Sequence, residues 1–125
     1  MQSAAHRDGI LKKTYTHIGV GVAIKGRDVK ATQNFATVVA LTRQAVPVQV
    51  HGGESLDLTA QAVGNGPPPD RFEFFSSEEG MAVSGSRPIA GASVPGPKDV
   101  PAGIYKLRFL FPQGSAYWGP RVEVK

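Results

Sequence analysis

The chain of 125 residues has no cysteine, which excludes a disulfide framework and any thiolate-ligated metal site. No apolar run approaches the ~18 residues of a membrane-spanning helix. The opening MQSAAHRDG lacks an apolar h-region, so it reads as no signal peptide; an exported parent protein would carry its signal upstream. There is no Ser-His-Asp order, no G-x-S-x-G elbow and no Asp/Asn-rich calcium loop. Long helical periodicity is scarce too, which argues against a helical bundle.

What is present points to short strands. Hydrophobic residues at 41% and charged residues at 19% are the proportions of a soluble globular protein long enough to bury a core without staples. Fifteen glycines and ten prolines suit strands joined by turns. The net charge of +4 is uneven: residues 1–45 carry seven Lys/Arg against Asp8 and Asp28, while residues 46–125 carry seven against eight Asp/Glu. The basic first third invites a nucleic-acid reading. Its charges are dispersed and no stacking aromatics interleave with them, so it reads as a solvated face, with no nucleic-acid partner expected.

Along the chain, residues 3–13 predict a short helix with Ser3 as N-cap and Ala4, Ala5, Ile10 and Leu11 packing. THIGVGVAI follows, with Ile18, Val20, Val22 and Ile24 on one face and Gly19, Gly21 and Ala23 on the other, the alternation of a strand. KGRD turns through a loop of about four residues into a second strand carrying Val29, Ala31, Gln33 and Phe35 on one side. From Ala45 onward only short strands appear. Pro47 confines VPVQV to a sheet edge or strand start, HGGE and SSEEG make turns, and three runs alternate. These runs, with a last strand near 117–124, place Leu56, Leu58, Phe72, Phe74, Leu107, Phe109 and Val122 inward. The expected class is mainly β: a helix and hairpin over residues 1–44, then a small antiparallel immunoglobulin-like β-sandwich over 45–125, with a small barrel as the alternative.

The opening residues resemble the C-terminal part of the CAP superfamily, the cysteine-rich secretory, antigen 5 and pathogenesis-related proteins, in their bacterial SCP-like extracellular branch. The resemblance rests on Ser3, His6, Arg7, Ile10 and Leu11, then Tyr15, then Ile18, Gly19, Val20, Gly21 and Ala23, and finally Thr32, Gln33 and Phe35. It covers about positions 1–40. Gly9 departs from the family's usual Asn, and the helices that supply a CAP cavity with a second histidine and acidic residues have no counterpart in the sequence. The resemblance implies that residues 1–44 are a remnant of an α-β-α sandwich and that His6 is the cavity histidine. A cavity of two histidines and two carboxylates would suit a divalent cation; His6 alone makes an incomplete metal site. The resemblance also implies an extracellular or periplasmic parent protein.

Other candidates have plainer explanations. His17 and His51 have no second ligand at a metal-binding spacing. Glu78 and Glu79 read as a solvated cap. GVGVA lies in a strand after a helix, the reverse of a dinucleotide fingerprint. SAYWGPRVEV places Tyr117 and Trp118 beside Arg121. The bland reading makes Trp118 the large core residue of the sandwich; the functional one makes Tyr117, Trp118 and Arg121 a recognition surface for protein or carbohydrate.

The expected function is a non-catalytic extracellular binding or spacer module, with no enzyme activity and no cofactor. Two alternatives stand beside it. One is part of a CAP-type metal-dependent hydrolase or ligand-binding protein whose site is completed upstream. The other is a basic surface binder acting through residues 7–43, whose binding would fall steeply with salt. The apolar face of the 18–35 hairpin adds an expectation of self-association.

Overall fold

The computed structural model describes residues 4–125, except for the side chain of His6. Ser3, the expected N-cap, lies outside the described residues. The chain is mainly β and divides into two compact units, one ending at Val39 and the other running Ala40–Lys125.

The first unit holds helix α1 (Ala4–Ile10) and strands β1 (His17–Lys25) and β2 (Asp28–Ala36). The helix is shorter than the 3–13 expectation, with Gly9 in its last turn, where glycine weakens helix propagation. β1 and β2 pair antiparallel over nine residue pairs, from His17↔Ala36 to Lys25↔Asp28. Only Gly26 and Arg27 are therefore left in the loop, not about four residues. Gly26 has φ +62°, and among the described residues no non-glycine residue has a positive φ. That sign pattern is the type II′ turn, whose twist matches paired strands. The register sets Ile18 opposite Phe35, Val20 opposite Gln33, Val22 opposite Ala31 and Ile24 opposite Val29, so the apolar residues of both strands share one face. Phe35 stacks on Tyr15 with ring centroids 5.4 Å apart.

The second unit holds β3 (Ala40–Thr42), β4 (Gln49–Val50), β5 (Ala60–Ala62), β6 (Arg71–Ser76), β7 (Met81–Ala82), β8 (Arg87–Pro88), β9 (Gly103–Leu110) and β10 (Ala116–Val124). Its main sheet runs β4-β10-β9-β6-β7, with β8 also pairing β6, and curls; β3 and β5 form a separate antiparallel ladder. The sheet is not wholly antiparallel as expected, because β4 runs parallel to β10 through Gln49↔Glu123 and Val50↔Val124. β4 is an edge strand, consistent with Pro47 just before it.

Alternation builds the core. Phe72 and Phe74 from β6, Tyr105, Leu107 and Phe109 from β9, and Val122 and Val124 from β10 are all buried. Leu56, Leu58, Val94 and Val100, from the connecting segments, are buried as well. Near the start of β9 the Tyr105 hydroxyl donates a 2.7 Å hydrogen bond to the Pro101 carbonyl, pinning the approach to the strand. Phe74 and Tyr105 meet edge to face at 6.0 Å, an arrangement that adds to simple burial.

Candidate functional site

β9 and β10 present their alternate residues outward. In β9, Lys106 and Arg108 lie between the buried Tyr105, Leu107 and Phe109, so they face away from the core. In β10, Trp118 sits directly opposite Arg108 and Arg121 directly opposite Lys106. Those two pairs are three residues apart on β10 but two apart on β9, and the difference is a β-bulge at Gly119–Pro120. Without the bulge, Trp118 and Arg121 would point to opposite faces. With it, they share the outer face.

The reading of Trp118 as the large core residue is overturned: it is 55% exposed. Its ring meets Phe75 edge to face at 4.8 Å. Lys106 Nζ lies 5.4 Å from the ring centroid and the Arg108 guanidinium carbon 5.6 Å from it. Arg108 also lies 5.2 Å from the Phe75 centroid. These distances are within reach of cation–π attraction. The Arg108 guanidinium pairs with the carboxylate of Glu73, a buried side chain on the neighbouring strand β6. Glu73 thereby fixes Arg108 in place and leaves the flat guanidinium beside the aromatic pair.

Tyr117 does not belong to this surface. It pairs with Phe109, and its ring meets Phe111 at 5.4 Å on the opposite side of the strand. Of the three residues singled out from the sequence, the fold thus brings Trp118 and Arg121 together and separates Tyr117. Phe75, Lys106 and Arg108 were missed. Their outward alternation was readable in IYKLRFLF and RFEFF, but nothing in the sequence says which strands are neighbours.

The remaining candidates resolve locally. His6 lies on α1, and its side chain is outside the described residues. His17 Nδ1 is 2.8 Å from the Thr16 hydroxyl. His51 turns through HGGE, with its backbone N–H donating to the Glu54 carboxylate at 2.8 Å. Ser76 receives the Glu79 N–H at 3.2 Å on its hydroxyl and the Gly80 N–H at 2.9 Å on its carbonyl, so SSEEG is a closed turn. Beside it a cleft of about 630 Å³ is lined by Glu78, Glu79, Met81, Lys98, Asp99 and Tyr105, among others. Burial, followed by the Glu79 and Glu78 charges, pushes the Tyr105 phenol above its ordinary pKa. No group of three or more metal-ligating side chains occurs among the described residues, and no described helix is long and apolar enough to cross a membrane.

Neither family models, nor curated proteins, nor solved structures yield a match to this chain.

Proposed function

We propose that the chain is a non-catalytic binding and spacer module of an exported protein, and that its binding surface is the outer face of β9 and β10 around Trp118. One observation carries the reading: a tryptophan held half out of water by a bulge, with Phe75 at its edge and Lys106 and Arg108 beside its ring. Exposed aromatic rings backed by ordered cations supply contact area at low entropic cost, which is the chemistry of recognition rather than of bond breaking.

Within this proposal residues 45–125 are an immunoglobulin-like sandwich. Two features support that assignment: the strand order with a parallel β4–β10 edge, and the Tyr105 hydroxyl bonded to a carbonyl four residues upstream, as in a tyrosine corner. Residues 1–44 are the C-terminal part of a CAP-like domain, supported by the order of α1, β1 and β2 and by the opening residues that resemble that family. An extracellular or periplasmic setting comes with the same resemblance.

Trp118 is the single tryptophan, so its fluorescence reports on this surface alone. Dextran, chitin oligomers, polygalacturonate oligomers and poly-glutamate form a suitable panel of probes. The expected result is a saturable change in emission with at least one of them. A flat response to all four would overturn the reading.

A further inference from the structure

Resting on the binding-surface reading above, we infer that the ligand of the Trp118 surface is an acidic polysaccharide, a chain of pyranose rings bearing carboxylates. The first ground is charge. Residues 46–125 hold fewer basic than acidic side chains, yet Lys106, Arg108 and Arg121 gather on one face of two adjacent strands. Of the three, only Arg108 takes part in an ion pair among the described residues, with Glu73. Lys106 and Arg121, directly opposite each other, leave positive charge next to the indole. A carboxylate placed between them gains charge-assisted hydrogen bonds.

The second ground is shape. Trp118 offers a broad apolar ring, more than half of its surface in water, and a pyranose ring presents a matching face of C–H groups. A ligand with a flat apolar face and an anionic substituent on the same unit satisfies both features at once.

The third ground separates sugar from peptide. β10 is covered by β4 only at Glu123 and Val124, so the stretch Ala116–Arg121 is an open sheet edge of the kind extended peptides join. Here the bulge interrupts the ladder and Pro120 has no N–H to offer, both of which block strand addition. Recognition is left to side chains on the face. A nucleic acid would need a longer basic track than three cations beside Glu73 and Glu123.

The test is titration of the full chain with polygalacturonate oligomers, read by Trp118 fluorescence and calorimetry, with dextran and poly-glutamate in parallel. Binding of polygalacturonate is expected, weakening as salt rises. It should weaken by about tenfold or more in Trp118→Ala and by about tenfold in the Lys106→Gln/Arg121→Gln double variant. Trp118→Phe should restore part of the loss. All these side chains are on the surface, so unchanged thermal unfolding of the variants shows that the fold is intact. No binding of polygalacturonate overturns the inference, and so does equal binding of dextran, or of poly-glutamate with no loss in Trp118→Ala. A fluorescence response to dextran or chitin oligomers without one to polygalacturonate would refute the acidic sugar while leaving the binding surface standing.

Discussion

Gly119 lies against the ring of Phe109 so closely that a Cβ at position 119 would fall 2.5 Å from Phe109 Cε2 and 3.3 Å from the Leu107 carbonyl oxygen. Phe109 is buried and cannot swing away, so the close approach demands glycine. The bulge and the core are thus one construction: the residue that kinks β10 is the one that rests on the core aromatic. Because the same kink turns Trp118 and Arg121 to one face, the core beneath sets the geometry of the surface above.

Gly119→Ala is therefore expected to cost about 1–3 kcal/mol, the usual range for forcing an extra carbon into a packed site. It should also alter the emission of Trp118, since relief of the clash requires the bulge to move. Urea unfolding followed by tryptophan fluorescence reads both effects. A stable variant with unchanged emission would show that Gly119 does not brace the bulge.

Much of the core of the second unit was legible because a half-buried strand writes its burial in period two. The inward positions of IYKLRFLF and the final RVEV are the buried ones, and in RFEFF the inward Phe72 and Phe74 are buried together with the outward Glu73. The surface was not legible in the same way. Trp118 breaks the period of its own strand through the bulge, and an apolar aromatic in a strand reads by default as core. Its neighbours Phe75, Lys106 and Arg108 come from strands 10 to over 40 residues away in sequence, and only the β6-β9-β10 order brings them together. The parallel β4 pairing was hidden for a related reason: two residues of ladder leave no pattern.

Phe74 is fully buried, edge to face with both Phe72 and Tyr105. Phe74→Ala should destabilise the second unit by about 3–5 kcal/mol, enough to remove much of the stability of a small domain. Denaturant titration checks it. A loss below about 1 kcal/mol would mean that this core can collapse around the cavity.

Tyr105→Phe removes the hydroxyl bonded to the Pro101 carbonyl and should cost about 0.5–1.5 kcal/mol near neutral pH. The pH dependence has a definite sign. The folded phenol holds its proton more tightly than the ordinary phenol near pKa 10.0, through burial first and then Glu79 and Glu78. Its stabilising contribution is thus complete below about pH 10 and drains away as pH rises from there through the raised folded value. Wild type should lose stability across that alkaline window, and Tyr105→Phe should lose less.

The other face of the β1–β2 hairpin carries Gly19 and Gly21, and a Cβ at either would meet nothing within 4 Å. Gly21 stands opposite Thr32. Gly21→Thr creates a Thr–Thr cross-strand pair, worth about 0.2–1 kcal/mol, in a strand that glycine otherwise weakens. Amide exchange across β1 and β2 should slow. Faster exchange would mean that the glycine face is kept bare for a close-packed neighbour, as in a layered α-β-α domain.

Glu73 and Arg108 are paired but unequal, and the inequality predicts which loss is worse. The Glu73 side chain is 7% exposed and that of Arg108 is 32% exposed. Removing Glu73 leaves a guanidinium that can turn into water and still lie against Phe75 and Trp118. Removing Arg108 leaves a carboxylate in the sheet surface with its partner gone, and unpaired buried charges are the costly outcome. Arg108→Met should therefore destabilise by about 2–4 kcal/mol and Glu73→Gln by about 1–2 kcal/mol. The double replacement Glu73→Gln/Arg108→Met should recover part of the Arg108→Met loss, because it removes the stranded charge. Denaturant unfolding of the two single variants and the double one forms a closed cycle. Equal losses in the two single variants would show that Glu73 reaches solvent without Arg108, and that Arg108 is held beside Trp118 by the aromatic rings rather than by the carboxylate below.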